Sequence, residues 1–114
     1  MTAVTIGVSS REETNARFVR AMNGEPQGAW RTFATVDDLW RTLTPKRWAL
    51  LQALTGAGPV SVREAARRIG RDVKAVHTDV HVLLNAGLLE KTDAGAILFP
   101  FDAVHVDFML RAAS

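Results

Sequence analysis

The sequence predicts an α+β fold, and three observations favour this class. Apolar and small residues alternate over residues 3–8, as they do in a strand. Five later segments place apolar residues at helical spacing after a Ser, Thr or Asp that can cap a helix. Two short apolar runs flank an Asp-Ala-Gly turn at residues 93–95 and predict a β-hairpin. A chain of 114 residues, 47% hydrophobic and 23% charged, fits one compact globular domain.

Residues 1–44 predict a small N-terminal αβ extension. A strand is expected over residues 4–8, where Val and Ile alternate with smaller residues. Ser10 and Glu13 have the spacing of a capping box, in which two side chains satisfy free N–H groups at the start of a helix. That helix is expected to run to about Met22, where Asn-Gly provides a natural end.

The next elements lead into the middle of the chain. Residues 29–34 predict a second strand, and Thr35 can cap a short helix after it. Thr44 and Pro45 open another helix as an N-cap and a first-turn proline. Glycines and a proline from Gly56 onward end it. The three tryptophans, which could stack on nucleic-acid bases, are instead expected to face the core: Trp30, Trp40 and Trp48.

Residues 45–101 have the clearest pattern of helix caps, apolar spacing and turns in the chain. Ser61 opens a capped helix that ends at Gly70, and after a short turn Asp72 caps a further helix that runs to Asn85. On a helical wheel, five apolar side chains of this last helix share one face: Val73, Val76, Val80, Leu83 and Leu84. The order of helix, capped helix, short turn, capped helix and β-hairpin is that of a winged helix-turn-helix.

Residues 102–114 form a C-terminal segment whose pattern fits two structures. Its apolar residues alternate as in a strand, but the run is nearly apolar enough for a buried helix. As a C-terminal strand it would need an edge to pair with, and the strand at residues 4–8 is the expected partner, within one subunit or across a dimer. The segment is therefore expected to complete the core or to contribute to a dimer or partner contact.

The charge of the chain is uneven, although its formal net value is only +2. Seven of the basic residues and only two acidic ones fall between residues 46 and 74. Residues 1–45 are neutral overall, and residues 75–114 are acidic. A basic middle suits binding of a polyanion such as double-stranded DNA, although an ordinary solvated surface would carry the same charges.

The helix from Asp72 to Asn85 is expected to enter the major groove, which is wide enough to admit a helix. The helical pattern places Asp79 to one side of the polar face of this helix, where the carboxylate repels DNA phosphates little. Basic residues on the preceding helix and turn are placed to contact the DNA backbone, and the hairpin adds a weak contact. The candidate DNA-binding residues are Arg63, Arg67, Arg68, Arg71, Lys74, His77, Thr78, His81 and Lys91.

Three stretches resemble a known family: TPKRWALLQAL, GPVSVREAARRIGRDVKAVHTDV and LLNAGLLEK. They are similar to small bacterial and archaeal MarR-like winged-helix regulators, above all to DNA-binding proteins encoded as antitoxins beside a toxin gene. The resemblance implies a homodimer that represses its own operon by binding the operator, and that also binds a cognate toxin protein. It places the recognition helix over Asp72 to Asn85.

The sequence argues against several other classes. Without cysteine the chain has no disulfide, thiolate zinc site or cysteine nucleophile. His77 and His81 have the spacing of a zinc-binding pair, but no glutamate follows the first histidine and no third ligand lies nearby, so neither a metal nor another cofactor is expected. No phosphate-binding loop or nucleophile elbow predicts an enzyme.

No apolar run reaches the roughly 20 residues of a membrane span and no secretory signal is visible, so a cytoplasmic protein is expected. Two alternatives to a transcriptional regulator of its own operon stay open. One is a winged-helix module that binds proteins without DNA, since a fold does not dictate a function. The other is a stand-alone regulator that responds to a small ligand.

Overall fold

A computed structural model describes residues 2–9, 11–24 and 28–109 and shows an α+β fold. None of its described helices is both long and apolar enough to cross a membrane. The elements are β1 (Ala3–Val8), α1 (Arg11–Met22), β2 (Ala29–Phe33), α2 (Val36–Thr42), α3 (Pro45–Leu54), α4 (Val62–Ile69), α5 (Val73–Asn85), β3 (Glu90–Lys91), β4 (Ile97–Leu98) and β5 (Ala103–Asp107).

A three-stranded parallel sheet joins the two ends of the chain, in the order β2-β1-β5. Val4 pairs with Ala29 on one side and with Val104 on the other. The C-terminal segment therefore forms a strand over Ala103–Asp107 that pairs with β1 of its own chain, and none of its described residues is helical. The Asp102 carboxylate fastens the start of this pairing, because it accepts a hydrogen bond from the Thr2 backbone N–H at 3.1 Å.

Four of the predicted helix caps are confirmed. In each, the side chain of the N-cap residue accepts a hydrogen bond from a backbone N–H three residues later: Thr35, Thr44, Ser61 and Asp72. The turn after α4 depends on Gly70, whose φ of 67° lies in the left-handed region that favours glycine. The fifth predicted cap, Ser10, lies outside the described residues.

One hydrophobic core joins β1 and α2 to α3, α4, α5 and the β3–β4 hairpin. From α5 it receives Val76, Val80 and Leu83, which are buried. The prediction that Val73 shares this buried face is wrong, since Val73 is 39% exposed at the first position of the helix. Leu84 is half-buried and packs at the margin of the core.

The tryptophans differ in burial. Trp48 is half-buried against the core, whereas Trp30 is half-buried beneath the Arg17 guanidinium, 4.5 Å from the ring centroid. The prediction that Trp40 faces the core is wrong, because 56% of the residue is exposed. Its neighbour Leu39 takes the inward position of the short helix α2 and is fully buried.

Candidate nucleic-acid interface

Helix α5 presents a polar face made of four predicted site residues. Lys74, His77, Thr78 and His81 are all exposed, and their spacing of three and four residues places them together on one side of the helix. The rings of His77 and His81 meet with 3.2 Å between their Nε2 atoms. The opposite side of the helix is buried, so this face is the side that α5 offers to a partner.

The only acidic residue within α5 is withdrawn from that face. Asp79 is buried, and its two carboxylate oxygens accept hydrogen bonds from Arg47 Nε at 3.0 Å and from Arg71 Nη1 at 2.8 Å. Asp79 therefore lies off the polar face, as expected, and the structure adds that it is buried. Two guanidinium groups pair with it inside the helical layer, and the exposed face carries no carboxylate.

Sequence reasoning missed Arg47 as a site residue. Besides Asp79, its guanidinium binds the carbonyl oxygens of Arg41 at 2.9 Å and Thr42 at 3.3 Å, at the end of α2. One side chain thus connects α2, α3 and α5. A buried acid predicts a cationic partner, but nothing in the pattern selects a residue 32 positions away from it.

Arg71, a predicted DNA contact, has a structural task as well. Its guanidinium is held by Asp79, and its backbone N–H donates to the Ala66 carbonyl at 3.0 Å. Both bonds fasten the turn between α4 and α5, and about a fifth of the side chain remains exposed. The structure therefore gives Arg71 the role of positioning α5.

The three arginines of α4 are exposed, and two of them share one acid. Arg67 donates from Nε to Glu64 Oε2 at 2.8 Å, and Arg68 donates from Nε to Glu64 Oε1 at 3.0 Å. These hydrogen bonds, the one from Arg67 foremost, lower the pKa of Glu64 to about 2. The trio keeps one net positive charge, and the neighbouring Arg63 adds a second.

Replacing Glu64 with Gln is expected to remove an acid-sensitive part of the stability. The pKa of Glu64 falls from 4.5 to about 2 on folding, so its contribution is complete above about pH 4.5 and is lost as the pH falls towards 2. Melting temperatures measured from pH 7 to pH 2 should therefore differ between wild type and E64Q at neutral pH and converge in acid. The difference should be a few degrees at most, because the ion pairs are exposed. A gap that stays constant down to pH 2 would contradict the assignment.

The hairpin brings another predicted residue to the α5 face. A cavity of about 130 Å³ lies between α5 and the β3–β4 hairpin, and its lining includes His77, His81, Lys91 and Gly95. The hairpin is held to the body by hydrogen bonds in both directions between the backbones of Val60 and Ile97. Lys91 therefore joins the α5 face, whereas Arg67 and Arg68 of α4 bond to Glu64.

The last anchor of α5 comes from the N-terminal sheet. Arg31 on β2 donates from Nε to the Gly87 carbonyl at 2.6 Å, just beyond the end of α5. The sequence offered no signal for this contact, which joins residues 56 positions apart. It connects the end of α5 to the parallel sheet.

Potential metal ligands do not gather in the part of the chain described by the structure. No group of three or more His, Cys, Asp or Glu side chains lies close enough to hold an ion there.

Comparison with models of protein families shows which family the chain belongs to. The family model HVO_A0114 matches residues 42–106, more than half of the chain, and this range includes α3, α4, α5 and the hairpin. No curated protein and no solved structure matches the chain. The chain belongs to the HVO_A0114 family.

Proposed function

We propose that the chain is a winged helix-turn-helix protein that binds double-stranded DNA through α5 and regulates transcription. The observation that carries the proposal is the exposed face of α5, where Lys74, His77, Thr78 and His81 lie together without a carboxylate. Such a face can approach phosphates and base edges, whereas an exposed aspartate would repel the backbone.

The shape of this region supports the same proposal. At 13 residues, α5 is about 20 Å long, and a B-DNA major groove about 12 Å wide admits a helix of that kind. Helix α4 precedes it across a turn of a few residues, and the hairpin follows as a wing. In this arrangement Lys74 enters first, because it lies at the N-terminal end of α5.

The surrounding charges supply phosphate contacts rather than base recognition. Arg63 and the exposed parts of Arg67 and Arg68 suit the DNA backbone beside α5, and Lys91 suits the backbone on the wing side. One recognition helix buries too little surface for tight specific binding. A homodimer with half-sites about 34 Å apart would multiply the affinity.

The regulated target is proposed to be the operator of the chain's own operon, with the chain acting as an antitoxin that also binds a cognate toxin. The resemblance of the GPVSVREAARRIGRDVKAVHTDV stretch to MarR-like antitoxins supports this role. Binding of this kind would place the protein in the cytoplasm.

The test is fluorescence anisotropy with a labelled duplex from the upstream region of the gene, against a shuffled duplex of equal composition. We expect the upstream duplex to bind at least about a thousandfold more tightly near physiological salt. The logarithm of the affinity should fall linearly with the logarithm of the salt concentration, as phosphate contacts require. Equal and weak binding of both duplexes would overturn the proposal.

Two other functions each have an observation in their favour. Exposed apolar side chains on α1 favour a protein-interaction module: Phe18, Val19 and Met22. A groove of about 600 Å³ between α2, α3 and β5 favours a regulator that responds to a small apolar ligand. Failure of the upstream duplex to bind would favour the first of these.

A further inference from the structure

Strand β5 has one open edge. It pairs with β1 on one side, and no other strand in the described parts of the chain pairs with it on the other. Exposed edges of this kind pair readily with another chain unless a proline, a lysine or a bulge blocks them. The five residues of β5, Ala-Val-His-Val-Asp, contain neither proline nor lysine. The opposite edge of the sheet, β2, carries the basic Arg31.

Two antiparallel copies of the segment around β5 place chemically matching side chains opposite each other. In an antiparallel pair centred on Val106, this residue faces its own copy and His105 faces Asp107. Val104 then faces Phe108, and Ala103 faces Met109. Every apolar residue is therefore opposite an apolar one, and the only polar pair joins a ring N–H donor to a carboxylate acceptor.

Neighbouring registers lack this match. A pair centred on His105 sets the two imidazole rings opposite each other and places Asp107 opposite Ala103. A pair centred on Val104 places Asp107 opposite Phe101. Both registers leave a carboxylate of β5 facing an apolar residue. The matching of opposed side chains therefore favours the register centred on Val106.

An apolar groove lies beside the same edge. It is lined by Leu39, Trp40, Leu43, Pro45, Trp48 and Val106. Trp40 and Val106 are 56% and 39% exposed. Directly opposed side chains in an antiparallel pair lie on one face of the sheet, so Val106 of a second copy would lie at the mouth of this groove. The two grooves would then meet across the twofold axis.

We propose that the protein forms a homodimer by antiparallel pairing of β5 with β5 of a second copy, in the register centred on Val106. The two sheets then form one continuous six-stranded sheet, and the apolar groove closes against its symmetry mate. This goes beyond the proposed function, which calls for a dimer but names no surface for it.

Cross-linking tests the register directly, because the chain has no cysteine of its own. In V106C the two thiols face each other across the axis, where the Cα atoms of opposed residues lie about 4.5–5.5 Å apart, within the range of a disulfide. Mild oxidation should convert most of the protein into a covalent dimer. The matched control is T32C, on the exposed part of β2, which should stay largely monomeric. A folded V106C that stays monomeric, or a T32C that cross-links equally, would overturn the proposal.

A charge exchange tests the polar pair. Either H105D or D107H alone sets like side chains opposite each other and should weaken dimerisation about tenfold in sedimentation equilibrium. The double variant H105D/D107H recreates the pair with its members exchanged, so it should return to within about twofold of wild type. Single variants that dimerise as well as wild type, or a double variant that does not recover, would overturn the register.

The duplex titration separates this inference from the proposed function. Upstream DNA that binds specifically while V106C fails to cross-link leaves the function standing and removes the dimer surface. A V106C dimer that does not distinguish the two duplexes retains the surface and removes the function.

Discussion

Replacing Asp79 with Ala is expected to lower the free energy of unfolding by about 2–4 kcal/mol. The Asp79 side chain is 12% exposed and pairs with Arg47 and Arg71, whose side chains are 18% and 21% exposed. Removing it leaves the Arg71 guanidinium without this acceptor and the Arg47 guanidinium with only the carbonyl oxygens of α2, in a region that water reaches poorly. Loss of one partner from such a pair costs more than the pair itself contributes, because the remaining charge stays unsolvated.

Urea unfolding followed by circular dichroism measures this loss. The matched control is Asp38→Ala, which removes another aspartate–arginine bond, but one in which Asp38 and Arg41 are 43% and 76% exposed. Exposed pairs contribute at most about 1 kcal/mol, so this variant should unfold close to wild type. Equal losses in both variants would mean that Asp79 behaves as a surface residue. D79N should lose less than D79A, since its amide oxygen still accepts a hydrogen bond.

The helices of this protein were predictable because their signals are local. Thr35, Ser61 and Asp72 each bond to a backbone N–H only three residues later, so spacing along the sequence is enough to locate them. The turn at Gly70 follows from the residue type that tolerates its φ. The polar face of α5 was likewise predictable, because helical periodicity separates it from the buried valines and leucines.

Features that depend on distant contacts were not predictable. A helical wheel records the angle of Asp79 but not whether another helix covers that angle, and the covering Arg47 is 32 residues away. Trp40 was misassigned because a short helix buries only one stripe, which Leu39 already occupies. The C-terminal segment fitted both a strand and a helix until its partner was known, and that partner begins 100 residues earlier, at Ala3.

In the proposed function, the ion pairs of Asp79 support the exposed face of α5 by holding the helix in place. Arg47 and Arg71 hold the inward side of the helix through Asp79, and Arg31 holds its end through Gly87. A recognition helix needs such fixed placement, since side chains on a moving helix cannot keep hydrogen-bond geometry with base edges. The stability variant D79A is therefore also expected to weaken specific DNA binding.

Reversing the charge of Lys74 is expected to lower the affinity for the upstream duplex about a hundredfold at 0.1 M salt. Lys74 is exposed in the first turn of α5, so K74E removes a cationic contact and adds a carboxylate to a face that has none. A dimer carries the change in both half-sites. The slope of log affinity against log salt should also become shallower by about one for each phosphate that the variant no longer neutralises.

Two controls decide whether the loss is local. Urea unfolding of K74E should match wild type, because the side chain is exposed and packs on nothing in the core. Lys46→Glu changes the net charge by the same amount at an exposed residue of α3, outside α4 and α5, and should weaken binding less than about threefold. Equal losses of affinity in K46E and K74E would mean that DNA binding depends only on the total charge of the protein, and that α5 does not enter the groove. A large effect of K74E alone, with an unchanged unfolding curve, would assign the contact to the exposed face of α5.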